Sequence, residues 1–221
     1  MLITKTLFHE ILAGKGRHNL IFMGMSGVGK TFWSQKLAER YGLCHKDYDL
    51  LISHSSEFIR HLQDIPGEKA TERLATLLGN PWDEGFATRE RRYLDIECRL
   101  MAEDELKGVI EDLTGSAIYC QKAIAQLAAK GIVVYLEVSE NAIDEMIAVF
   151  VSDPKPICWN GAFERKKGES NEEALRRCFP LLLKKRIRLY EKYADVTLAY
   201  EAHKHCRNAE ELAEAILMRL E

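Results

Sequence analysis

The stretch Gly24-Met25-Ser26-Gly27-Val28-Gly29-Lys30-Thr31 constrains this chain more than any other. Its spacing is G-x-x-x-x-G-K-[ST], preceded by the apolar run Leu20-Ile21-Phe22-Met23 and followed by Phe32-Trp33-Ser34-Gln35-Lys36-Leu37-Ala38. In that setting the glycines permit a tight turn whose backbone amides converge on phosphate oxygens, and the following helix adds its positive N-terminal end. Lys30 is placed to reach the β- and γ-phosphates, and Thr31 to offer its hydroxyl to Mg2+. Gly24 through Phe32 are therefore expected to hold a nucleotide. A loop of this kind requires strand, turn and helix in that order, which commits the chain to an α/β fold.

The remaining sequence agrees with that commitment. Apolar, partly β-branched runs at Asn19–Met23, Leu43–Asp47, Gly108–Leu113, Ile132–Val138 and Asp195–Ala199 alternate with helical patterns. The helices are expected at Lys30–Tyr41, Ala87–Leu106, Gln121–Lys130, Ala142–Val151, Asn171–Tyr193 and Asn208–Leu220, with Asn171, Glu172 and Glu173 marking the start of the fifth. This alternation predicts βαβ units and a parallel sheet. With 221 residues the chain suits one domain. Two stretches interrupt the alternation. Asp49 to Gly85 is mostly helical in pattern but broken at Pro66-Gly67 and Gly79-Asn80-Pro81, and with the helix after it suggests a helical subdomain over 49–106. Residues 153–170, DPKPICWNGAFERKKGES, lack apolar periodicity and are expected to form a flexible lid.

Charge and cysteine usage exclude several classes. With 31 basic and 34 acidic side chains the formal charge is −3, so no global attraction to nucleic acid or anionic membrane is expected. No run approaches the roughly 18 apolar residues that span a bilayer, and a cytosolic monomer is expected. Cys44, Cys98, Cys120, Cys158, Cys178 and Cys206 form no CxxC pair and are expected to be reduced thiols. His203-Lys204-His205-Cys206 is expected to be an incidental cluster rather than a metal site, and Tyr48, Trp82 and Trp159 hydrophobic filler.

Asp47 and Asp49 alternate at the end of the second expected strand, which would set both carboxylates on one face beside the loop. One can hold the metal while the other accepts a hydrogen bond from an attacking hydroxyl. Asp112 ends the third expected strand, either as a second metal ligand or as a strand-end cap. Taken with Asp47-Tyr48-Asp49, Lys130–Glu137 and Arg186–Thr197, the chain resembles the shikimate kinase family over roughly residues 19–220. That resemblance implies a three-layer α/β/α fold with a five-stranded parallel sheet in the order 2-3-1-4-5, and an ATP- and Mg2+-dependent kinase acting on a small-molecule hydroxyl. It further implies that Asp47 serves the metal, Asp49 and Glu90 the substrate, and Arg186 a substrate carboxylate. Lys155 stands where the family has a lid arginine over the phosphates, with Arg165, Lys166 and Lys167 farther along.

Two departures bear on the acceptor. In Phe86-Ala87-Thr88-Arg89-Glu90 the family's carboxylate-binding arginine is Ala87, for which Arg91, one helical turn on, is the candidate substitute. Thr114-Gly115-Ser116 keeps one glycine of a family glycine triplet. Shikimate or a related polyol acid is the expected acceptor. Another small-metabolite or nucleoside monophosphate kinase, or an ATP-binding regulatory protein without turnover, is the alternative.

Overall fold

The computed structural model describes residues 5–62, 65, 70–139, 146–148 and 157–220. Its centre is a five-stranded parallel sheet of β1 (Asn19–Met23), β2 (Cys44–Asp47), β3 (Val109–Asp112), β4 (Gly131–Leu136) and β5 (Val196–Leu198), in the order β2-β3-β1-β4-β5. The three inner strands are buried on both faces, and β1 and β4 are almost wholly apolar, whereas β3 ends in the buried carboxylates Glu111 and Asp112. Alternation sorts their side chains. Leu20 and Phe22 of β1, with Ile132, Val134 and Leu136 of β4, pack beneath α1 (Lys5–Leu12), α2 (Lys30–Tyr41) and, near the C-terminus, Leu212 and Ile216. Ile21 and Met23, with Val133 and Tyr135, face the opposite layer.

That second layer begins with α3 (Tyr48–Ser53), α4 (Ser56–Leu62) and α5 (Ala70–Leu78), where the sequence suggested a helical insertion. It continues through α6 (Phe86–Ala102) and α7 (Gln121–Ala128) to the long α8 (Asn171–Tyr193). The short α9 (Tyr200–Lys204) and α10 (Ala209–Leu217) close the chain. The helix expected at 142–151 falls largely outside the described residues. No helix among the described residues is long and apolar enough to cross a membrane.

Three expectations are corrected. Strand β2 stops at Asp47, whose carboxylate accepts from Leu50 N at 3.1 Å and caps α3, so Asp49 lies in the first helical turn and not on a shared strand face. A short side chain at a strand end serves a cap as readily as a strand. The start of α8 is capped by Ser170, not Asn171: Ser170 Oγ accepts from Glu173 N at 3.2 Å and the Glu173 carboxylate accepts from Ser170 N at 2.7 Å. Finally, Cys98 of α6 and Cys120, just before α7, form a disulfide with Cα atoms 5.0 Å apart, where reduced thiols were expected. Packing of α6 on α7 brings together two residues that are 22 apart in sequence.

Candidate active site

The loop after β1 turns sharply because a side chain cannot be accommodated at its start: Gly24 has φ 146°, and a Cβ there would lie 2.6 Å from the carbonyl oxygen of Leu136 in β4. Gly29, at φ 99°, occupies the cap position of α2 and directs the helix N-terminus at the loop. Lys30 is buried, and its ammonium donates to the Met25 carbonyl at 3.1 Å, which arches it back over the turn. Met25, Ser26, Gly27, Gly29, Lys30 and Thr31 form one wall of a cleft of about 300 Å3; Phe32 joins them, half exposed.

Beside that wall, β2 and β3 end in register with Asp47 opposite Asp112. Asp112 is buried, and burial pushes its carboxyl up; Lys30 and a hydrogen bond with the Thr31 side chain pull it down, while the Asp47 charge pushes it up again. His45 Nε2 stands 4.0 Å from Asp112 Oδ2. Two carboxylates facing each other at the foot of a threonine hydroxyl form an all-oxygen donor set, and a divalent cation would relieve the repulsion that Asp47 imposes on Asp112. Thr31, Asp47 and Asp112 therefore fit Mg2+, which takes one or two carboxylates and otherwise water and phosphate oxygens.

The opposite wall is built from Asp49, Tyr93, Thr114, Gly115, Ser116, Ile157 and Arg186. Arg186 is 2% exposed, whereas Lys184, Lys185 and Arg188 on the same helix are exposed. Its guanidinium is oriented by three contacts: Nη2 donates to the Cys158 carbonyl, Nε to Tyr119 Oη at 3.2 Å, and Nη1 to Met25 Sδ at 3.5 Å. Gly115 sits between loop and guanidinium, where a Cβ would come within 3.2 Å of both Ser26 N and Arg186 Nη1. Tyr190 Oη fixes it from behind by donating to its carbonyl at 2.6 Å.

The family model described as shikimate kinase matches residues 26–221. The chain belongs to the shikimate kinase family. Membership places it among phosphotransferases that act on a hydroxyl group. It is 32% identical over 130 residues to a shikimate kinase of Stenotrophomonas maltophilia, covering 59% of this chain and 61% of that one. The chain thus spans under two thirds of that relative's length in the match. It is 25% identical to shikimate kinase 1 of Yersinia pestis, over 82% of this chain and 86% of the relative. In fold it is similar to a shikimate kinase from Acinetobacter baumannii solved in complex with shikimate, at TM-score 0.54, 23% identity and 91% coverage of both chains. The Aquifex aeolicus shikimate kinase gives TM-score 0.54 at 16% identity, covering 91% of this chain and 95% of that one.

Within this member of the shikimate kinase family, some residues singled out in sequence stand away from the cleft. Glu90 is buried, and its carboxylate accepts from the backbone amides of Trp159 and Asn160, the latter at 2.9 Å. It ties the segment after residue 156 to α6. Arg91 is exposed and does not line the cleft. Lys155 lies outside the described residues. Within the expected lid, Ile157, Cys158 and Trp159 are packed inward, with Cys158 and Trp159 each 1% exposed and Trp159 edge-on against Phe163 at 5.2 Å, while Glu164 to Gly168 are exposed. Trp82 also packs on Phe163, Tyr48 is buried, and His203 Nε2 donates to the Glu137 carbonyl at 2.9 Å, so these groups serve the interior.

Three residues near the cleft carry no sequence motif: Tyr93, Glu97 and Tyr119. Glu97 is fully buried on α6, and its carboxylate accepts from Thr114 Oγ1. Burial pushes its carboxyl up to about 7, against the hydrogen bonds from Thr114 and Ser116. The helix spacing Tyr93, Glu97, one turn apart, was the one available signal.

Proposed function

We propose that the protein is an ATP- and Mg2+-dependent kinase that transfers the γ-phosphoryl group to a hydroxyl of shikimate or a related polyol acid, as a cytosolic monomer. The observation that carries this reading is that one cleft is lined on one side by the phosphate loop with Lys30 and Thr31, and on the other by Asp49 and Arg186. A kinase needs donor and acceptor in one space, in line and screened from water. Backbone amides of Gly24 through Phe32 hold the phosphates, and Lys30 neutralises charge on the transferring group. Thr31, Asp47 and Asp112 would hold the Mg2+, which supplies charge neutralisation on the β- and γ-oxygens. Asp49, opening α3 at the far wall, takes the proton of the attacking hydroxyl. Arg186, already oriented by Cys158, Tyr119 and Met25, forms the charged grip on an acceptor carboxylate.

Residues 49–106 act as the acceptor-binding subdomain and 153–170 as the lid, from which Lys155 covers the phosphates. The acceptor is a small hydroxylated acid because the cleft offers Arg186 for a carboxylate and the polar row Asp49, Tyr93, Thr114, Ser116 for hydroxyls. Family membership and the curated relatives favour shikimate itself. Steady-state ADP release with ATP, Mg2+ and shikimate tests this: acceptor-dependent turnover is expected. Turnover with gluconate but not shikimate would move the assignment to another polyol acid.

A further inference from the structure

The register that sets Asp47 opposite Asp112 also sets Lys46 opposite Glu111, and the two pairs stand on opposite faces of the sheet. Strand β2 lies at the sheet edge, and its four residues, Cys44-His45-Lys46-Asp47, carry no apolar stripe for the core. Hydrophobic patterning therefore does not fix its register, and a slip of one residue would turn Lys46 to the side where Asp47 stands. On the face away from the metal ligands, that register rests on a buried polar cluster to which the proposed reaction assigns no role. Tyr48 and Glu111 are each 0% exposed and Asp104 is 4% exposed. Tyr48 Oη donates to Asp104 Oδ2, with Glu111 Oε2 3.3 Å from the same hydroxyl. Lys46 Nζ forms an ion pair with Asp104 Oδ2 and stands 4.8 Å from the centre of the Tyr48 ring.

Other elements hold the cluster in turn. Asn19 of β1 donates to Glu111 Oε1 and to the Leu106 carbonyl at 3.0 Å. Asp104 Oδ1 accepts from Leu106 N at 2.9 Å, and Lys130, just before β4, donates to the Asp104 carbonyl. The cluster is thus anchored on β1, β3 and the start of β4, while its two remaining members, Lys46 and Tyr48, flank Asp47 in the chain. Burying such groups costs more desolvation than burying apolar side chains of the same volume, and a fixed register is the best attested use of them.

Resting on the metal reading above, we propose that Tyr48 and Asp104 are positioning residues for the Thr31, Asp47 and Asp112 donor set. Tyr48 is the first residue of α3, so tying its hydroxyl to Asp104 fixes where strand passes into helix. Lys46, tied to the same carboxylate, holds the other side of Asp47. Asp47 Oδ1 is already engaged by Leu50 N, so a shift of this turn disturbs the helix cap and the facing of Asp47 on Asp112 together. Residues that orient metal ligands from behind carry much of a site's affinity without touching the cation.

The test compares wild type with Tyr48→Phe. Titration calorimetry reads the Kd for ADP in EDTA and in Mg2+, and turnover with ATP and shikimate reads the Mg2+ concentration for half-maximal rate. Tyr48→Phe is expected to raise that Mg2+ concentration about tenfold, the scale of losing a residue that orients a metal ligand. It is expected to remove most of the gain in ADP affinity that Mg2+ gives wild type, and to leave the Kd for ADP in EDTA within about twofold, because the phosphate loop is untouched. Should Tyr48→Phe fail to fold, Asp104→Asn is read in its place with the same expectation; if neither folds, the cluster serves stability alone and the inference falls. Unchanged Mg2+ dependence in a folded variant overturns the inference while leaving the kinase standing. So does an equal rise of the ADP Kd in EDTA and in Mg2+, which a general loosening would give. Wild type whose ADP binding and turnover do not respond to Mg2+ overturns the metal reading and this inference with it.

Discussion

At the scale of single residues, the cleft is set by close approaches that leave room for one side chain only. Gly115 is the clearest case, because Ser26 N and Arg186 Nη1 converge on the position where its Cβ would be. Gly115→Ala is expected to push the phosphate loop and the guanidinium apart by a few tenths of an ångström. Overpacking of this kind costs about 1–3 kcal/mol of stability, and misplacement of reacting groups on that scale lowers kcat/KM about tenfold or more. Kinetics and a thermal melt on the purified variant check this, and wild-type values in both would show that the contact is slack. Arg186 illustrates the same point from the other side. Four cations cluster on α8 in sequence, yet only the one that α8 turns inward is buried and oriented.

At the scale of elements, α6 ties the acceptor wall together. It carries Tyr93 and Glu97 toward the Thr114-Gly115-Ser116 loop, Glu90 toward Trp159 and Asn160, and Cys98 to Cys120. The disulfide closes a loop containing β3 and Thr114-Gly115-Ser116, so its removal frees the denatured chain more than the native one. For a separation of 22 residues the loss is about 2–4 kcal/mol. Cys98→Ala/Cys120→Ala is expected to lower the unfolding free energy by that amount, and unreduced denatured wild type to titrate four thiols, from Cys44, Cys158, Cys178 and Cys206. Six titrating thiols would show that the pair is not bridged. Neither the bridge nor the burial of Glu97 was legible in sequence. A helix with ERRYLDIECR reads as a solvated charged face, and only tertiary packing reveals that Glu97 points inward. The phosphate loop and the inner strands were legible because local sterics and burial on both faces dictate their composition. The placing of Asp49 was not legible, since the cap made by Asp47 starts a helix at Tyr48, where alternation through Asp49 needs extended chain.

At the scale of the whole molecule, in the order β2-β3-β1-β4-β5 the chain leaves β1 toward β2 at one edge and leaves its neighbour β4 toward β5 at the other. The crevice at the carboxyl ends of the strands is where an α/β sheet holds its ligand. The phosphate loop follows β1, the Asp47 and Asp112 pair ends β2 and β3, and Thr114-Gly115-Ser116 follows β3, so the sheet itself brings together the loop, the proposed metal ligands and the proposed acceptor wall. Arg186 reaches the same point from α8, packed on the opposite layer from α2. The central claim is phosphoryl transfer from ATP to a hydroxyl in this crevice. Phosphorus NMR of wild type and Lys30→Met incubated with ATP, Mg2+ and shikimate tests it most directly. Wild type is expected to form a phosphate monoester in step with ADP, and Lys30→Met to form it at least about a hundredfold more slowly, the loss typical of one preorganised charge-stabilising donor. ADP accompanied by inorganic phosphate alone, or ester formation that Lys30→Met leaves unchanged, would contradict the account.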